Sequence, residues 1–141
     1  AEILVIGLGR VGLGAFCALE AMVGDSVWGM DADRARVSNL QLKYEHLFSG
    51  DGEDADFWEE LDLSSVRLIL LALPSIQDSQ NIMLQIKNSG FTGKVAAIAR
   101  YQDEHDQLQS SGVDKVFNFF TEAGLGFAEE SLLLIDSPKS K

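Results

Sequence analysis

The chain has 141 residues and a mass of 15.4 kDa, with 46% hydrophobic and 23% charged residues. That is the length of one globular domain, able to bury roughly two-thirds of its unfolded surface, and with only two prolines it is neither disordered nor collagen-like. Eleven Lys and Arg against 22 Asp and Glu give a net charge of −11, which excludes the basic stripe that DNA or RNA binding requires and disfavours an anionic lipid surface.

Short apolar runs alternate with helically spaced segments from the first residues onward. Strands are predicted over 3–6, 26–30, 46–48, 66–73, 94–99 and 115–118, most of them bounded by Gly, Asp or Ser, as for strands covered on both faces. Helices are predicted over 11–23, 33–43, 54–61, 75–88, 101–111 and 121–135. Ser75 with Asp78 three residues later resembles a capping box, and Gly24 and Gly90 stand where helices should stop. Strict β–α alternation requires right-handed crossovers between parallel strands, hence a doubly wound, Rossmann-like α/β fold with a parallel six-stranded sheet. The expected organisation is a single domain over 1–136, with 137–141 a flexible tail or linker stub. The abrupt opening on a strand suggests a minimal domain or a piece of a longer protein. The longest apolar stretch, 68–74, is far below the roughly 20 residues that cross a bilayer, so no membrane insertion of this segment is expected.

The sharpest chemical signal is Gly7-Leu8-Gly9-Arg10-Val11-Gly12, placed directly after the first strand and opening the first helix. In that context Gly7 serves the tight turn, Gly9 the close approach of backbone to phosphate, and Gly12 the packing of helix on strand. The helix N-terminus adds unpaired N–H groups and about half a positive charge. A glycine turn needed only for packing is the alternative. Arg10 can pair with a phosphate oxygen or simply face solvent. Asp31, with Ala32 beside it, ends the second strand 24 positions after Gly7, where an acid accepts both ribose hydroxyls and repels a 2′-phosphate. Arg34 nearby leaves NADP open, and Asp31 could instead cap the next helix, a role Asp33 could also fill. Asp51 and Gly52 follow the third strand at the same sheet edge, where an acceptor can meet the exocyclic amine of adenine. Ala72 and Leu73, ahead of Pro74 and Ser75, close the fourth strand as an apolar wall.

Other chemistries lack their residues. There is no Tyr-x-x-x-Lys pair, no Gly-x-Ser-x-Gly elbow and no Walker lysine. The single Cys17 reads as a core filler, and His46 and His105 stand apart as surface or strand-edge residues. The acids from Asp51 to Asp62 miss calcium-loop spacing because Ala55 takes the fifth position. With no catalytic set and no substrate domain, the chain reads as a sensor, not an enzyme.

The glycine loop, Asp31, Gly50-Asp51, Leu71-Ala72-Leu73-Pro74, Ile98-Ala99-Arg100 followed by Asp103-Glu104-His105, and Ser111-Gly112-Val113-Asp114 fall in one order. Together they resemble the RCK domain, also called the KTN or TrkA N-terminal domain, most closely the Kef type of glutathione-regulated potassium efflux systems. The resemblance implies a cytosolic regulatory domain that binds AMP or NAD(H), forms a homodimer, and gates a membrane-embedded transporter or channel subunit. It implies phosphate contacts from Gly7, Gly9, Arg10 and Val11, ribose contact from Asp31, adenine contact from Asp51, and a place for Arg100 near a dimer cleft. Two positions depart from the pattern: Gln102 replaces a second arginine, which puts glutathione-adduct sensing in doubt, and Gly52 replaces an alanine. No nicotinamide-side contact stands out, which tilts the expectation toward AMP.

The last helix, with Phe127 and then Leu132-Leu133-Leu134-Ile135, is apolar on every side, unlike a surface helix. It is expected either on a partner subunit, with Phe119 and Phe120 nearby, or against its own sheet. Two other readings of the chain remain: the cofactor domain of an NAD-dependent oxidoreductase, and a free-standing adenine-nucleotide module.

Overall fold

The computed structural model describes residues 1–136; the expected tail at 137–141 lies outside the described residues. Six strands, β1 (Ile3–Ile6), β2 (Val27–Asp31), β3 (Leu47–Ser49), β4 (Leu68–Leu71), β5 (Lys94–Ala99) and β6 (Lys115–Asn118), form one sheet. All pairs are parallel and the order is β3-β2-β1-β4-β5-β6. The helices are α1 (Arg10–Val23), α2 (Arg34–Leu40), α3 (Ala55–Glu60), α4 (Ile76–Asn88), α5 (Gln102–Ser110) and α6 (Phe119–Leu132). The doubly wound expectation holds.

Both faces of the sheet carry apolar cores. Leu4, Ile6, Met30, Ile69, Leu71, Val95 and Ala97 meet Trp58 of α3, Ile82 and Ile86 of α4, and Leu108 of α5. On the opposite face Val5, Val27 and Leu47 meet Phe16 of α1 and Val37 of α2, with Cys17 packed at the margin. Each fully buried aliphatic or aromatic side chain contributes roughly 1.5–3 kcal/mol. The second face is unfinished over β5 and β6: Ala96, Ile98 and Phe117 line an open groove of about 300 Å³ beside Val11 and Leu70. The last helix does not cover it. No α6 side chain is buried, and Leu125, Phe127 and Leu132 are all exposed, so packing against its own sheet is ruled out.

Several boundaries move for local reasons. Gly24, with φ +70°, ends α1, and residues 24–26 coil into a 3-10 turn before β2 begins at Val27. The expected long fourth strand shrinks to Leu68–Leu71; Arg67 N–H still bonds the Glu2 carbonyl in register with β1, while at the other end Pro74 leads into the Ser75 cap of α4. Helix α2 stops at Leu40 in a turn, and α6 starts at Phe119 and ends at Leu132, with 133–135 turning away from helix. Asp33, not Asp31, caps α2, accepting the Arg36 N–H at 3.1 Å, and Ser75 Oγ caps α4 from the Asp78 N–H at 3.2 Å.

Candidate nucleotide site

The order of strands places the reversal point between β1 and β4, and a cleft opens at their carboxyl ends. Backbone bonds past the strand ends draw three loops together. Gly7 N–H donates to Met30 O at 2.9 Å, Ala72 N–H to Ile6 O at 2.8 Å, and Gly50 N–H to Asp31 O at 3.0 Å.

Within the first loop the glycines divide the work. Gly7 has φ +99°, and a Cβ there would stand 2.5 Å from the Ala72 carbonyl oxygen. A Cβ at Gly12 would overlap the Gly7 carbonyl, so this residue sets how closely α1 approaches β1. Gly9 differs: the space where its Cβ would sit is open. Gly9 is also the N-cap of α1 and supplies no side-chain cap, leaving first-turn N–H groups without a side-chain acceptor. These features fit a phosphate. Leu8 is buried, whereas Arg10 and Val11 are exposed at the cleft.

Asp31 is 9% exposed and accepts three hydrogen bonds. Its Oδ2 accepts the Leu8 N–H at 2.8 Å and Arg36 Nη1 at 3.2 Å, and its Oδ1 accepts the Asp33 N–H at 2.8 Å. The carboxylate therefore ties the glycine loop to α2. Of the two arginines after Asp31, it is Arg36 that reaches it, not Arg34, because helical spacing turns the third residue of α2 back toward the strand end.

The loop after β3 is shaped by its neighbours. Asp51 Oδ1 accepts the Glu53 N–H at 2.9 Å, and Asn81 Nδ2 donates to Glu53 Oε1 at 2.8 Å. The Trp58 indole N–H donates to the Gly52 carbonyl at 2.6 Å. A Cβ at Gly52 would stand 3.0 Å from Ile82 Cδ1, so an alanine here would require the Ile82 side chain to shift slightly. On the far side Arg100 Nη1 donates to Pro74 O at 3.2 Å, while Glu104 Oε1 accepts the Arg100 N–H at 2.9 Å.

The cleft has two compartments that share Gly9, Ala72, Leu73 and Pro74. One, about 310 Å³, holds Arg10 and Arg100 against a single acid, Glu104, with Phe119 as part of its wall. The other, about 300 Å³, holds Asp31, Asp51, Glu53 and Asp78 against a single cation, Arg36, with Ala32 beside them. Every predicted site residue except the buried Leu8 and the packing residue Gly12 lines one compartment or the other. Sequence reasoning missed Arg36, Glu53, Asp78, Glu104 and Phe119. Helical spacing from the Asp33 and Ser75 caps was the available signal for Arg36 and Asp78. No group of three His, Cys, Asp or Glu placed to hold a metal is present among the described residues.

The family described as the TrkA-N domain matches residues 3–119. The chain belongs to the TrkA-N domain family. The match ends where α6 begins, so this TrkA-N domain comprises the sheet, its five crossover helices and the cleft. The domain is similar to a protein of Alkalimonas amylolytica named as a K(+) efflux antiporter, KefB, at 25% identity over 139 residues, covering 97% of this chain. The chain spans only 21% of that relative's length. Among solved structures it resembles the NAD(P)-binding domain of an exopolyphosphatase-related protein from Archaeoglobus fulgidus, with TM-score 0.82, 18% identity, and coverage of 92% of this chain and 96% of the other. It also resembles the Shewanella denitrificans Kef CTD in its AMP-bound form, with TM-score 0.72, 16% identity, and coverage of 99% and 85%. At these identities the structures speak for the fold, which is the Rossmann-like one expected.

Proposed function

We propose that this TrkA-N domain is the cytosolic, adenine-nucleotide-sensing regulatory domain of a potassium efflux or cation–proton antiport system. The observation that carries the reading is the charge division of the cleft. An anion-favouring compartment at the α1 N-terminus adjoins an acidic one centred on Asp31, which suits a phosphate joined to a ribose whose hydroxyls donate. Gly7, Gly9, Arg10 and Val11 hold the phosphate, Leu8 and Gly12 fix the loop, Asp31 and Ala32 meet the ribose, and Asp51 and Gly52 border the adenine. Ala72 and Leu73 form the shared wall, and Arg100 faces whatever extends past the phosphate. Similarity to the KefB relative and to the AMP-bound Kef domain supports this role.

The domain acts by linkage, not by catalysis. Ligand occupancy shifts the attached transporter only by its differential affinity for two arrangements, typically about 1–3 kcal/mol. The second arrangement-forming element is α6, whose exposed apolar side chains, together with the open groove over β5 and β6, support a homodimer. Light scattering is expected to give a dimer, and a monomer at high concentration overturns that part.

Calorimetric titration with AMP, NADH, NADPH and ATP tests the ligand. AMP or NADH is expected to bind, and NADPH more weakly, because its 2′-phosphate would enter the acidic compartment. A ligand at a hundred times its Kd adds about 2.7 kcal/mol to folding stability, and Asp31→Ala and Asp51→Ala are each expected to remove that gain. Binding by none of the four overturns the reading. The second reading, cofactor domain of an NAD-dependent oxidoreductase, is favoured by the room beyond the phosphate near Phe119 and by similarity to an NAD(P)-binding domain. Hydride transfer by the full-length protein would establish it.

A further inference from the structure

We propose that Arg36 is an internal competitor for the ribose, a specificity-determining residue that must leave Asp31 before a 2′,3′-diol can be held there. The inference rests on the nucleotide reading above. A carboxylate offers about four hydrogen-bonding positions, two on each oxygen. At Asp31 three are taken: Leu8 N–H and Arg36 Nη1 on Oδ2, and Asp33 N–H on Oδ1. A vicinal diol gripping one carboxylate brings two O–H donors, one to each oxygen. One position is open on Oδ1, and none on Oδ2.

Only one of the three present donors can yield. The Leu8 amide belongs to the glycine loop and is buried, and the Asp33 amide is fixed where α2 starts. The Arg36 side chain is 47% exposed and reaches Asp31 from the first turn of α2. Its charge is not stranded by leaving, because Asp51, Glu53 and Asp78 line the same compartment. Diol binding and the Arg36–Asp31 ion pair are therefore mutually exclusive, and affinity for a ribonucleotide carries the cost of breaking that pair. A sugar lacking the 2′-hydroxyl brings one donor, finds the open position on Oδ1, and leaves Arg36 in place. Arg36 thus reduces the preference of the site for ribose over deoxyribose and couples ribose binding to a movement on the surface of α2.

The test is calorimetric titration of the intact chain and of Arg36→Ala with AMP and with 2′-deoxy-AMP, with Arg36→Gln as a second uncharged variant. Surface ion pairs correspond to a factor of roughly two to five in an equilibrium constant, and this one joins an arginine side chain 47% exposed to a carboxylate side chain 11% exposed. AMP binding is expected to tighten by about that factor in both variants, and 2′-deoxy-AMP binding to stay unchanged. Equal tightening for the two ligands, or weaker AMP binding in the variants, overturns the inference while leaving the nucleotide reading intact. Absence of AMP binding by all three proteins overturns the nucleotide reading and the inference together.

Discussion

The two halves of the sheet are built alike and finished differently. Around β1, β2 and β3 both faces are covered, by α1 and α2 on one side and by α3 and α4 on the other. Around β5 and β6 only the α4–α5 face is covered, and Ala96, Ile98 and Phe117 stand open on the other. The finished half carries the glycine loop, Asp31 and the loop after β3, whose positions depend on packing from both sides. The unfinished half is joined to α6, which has apolar residues and no home within the domain. On the proposed reading, the ribose and adenine end of the ligand meets the half where the fold is complete, and association is left to the half where it is not.

That contrast can be broken or sharpened by substitution. Ile69→Ala, in the fully buried centre of β4, is expected to cost about 2–5 kcal/mol by transfer loss and cavity formation, measured by urea unfolding. Gly9→Ala fills the open space of the loop and is expected to weaken AMP binding tenfold or more in calorimetry, while unfolding free energy changes by less than about 1 kcal/mol. Ser75→Ala removes the α4 cap and is expected to lower stability by about 1 kcal/mol. Phe117→Ser, on the open face and 45% exposed, is expected to change monomer stability by no more than about 0.5 kcal/mol while shifting light scattering toward monomer. A large loss of monomer stability in that variant would mean the two halves are equally closed.

Most of the architecture was legible because each strand–helix unit carries its own punctuation. The glycine loop announces a tight turn between β1 and α1, and Gly24 and Gly90 have positive φ where the helices were expected to stop. What escaped was set by where elements begin and end and by partners distant in sequence. The flanks of β4 read as strand on hydropathy, and Arg67 N–H does bond the Glu2 carbonyl in register with β1, but the regular strand is confined to Leu68–Leu71. Arg34 and Arg36 are equally plausible neighbours of Asp31 in sequence, and only the start of α2 at Asp33 decides between them. Asp51 was legible as a residue at the sheet edge, and its turn onto the Glu53 amide is local, but the tie from Asn81 to Glu53 depends on where α4 lies.

The bond from the Trp58 indole to the Gly52 carbonyl gives the molecule an intrinsic optical reporter. Of the two tryptophans, Trp28 is stacked on His46, whereas Trp58 is buried and hydrogen-bonded to the loop that borders one end of the cleft. Any displacement of that loop alters the polarity around one indole and not the other. Emission spectra recorded with Trp28→Phe in place then follow movement of that loop without an attached dye.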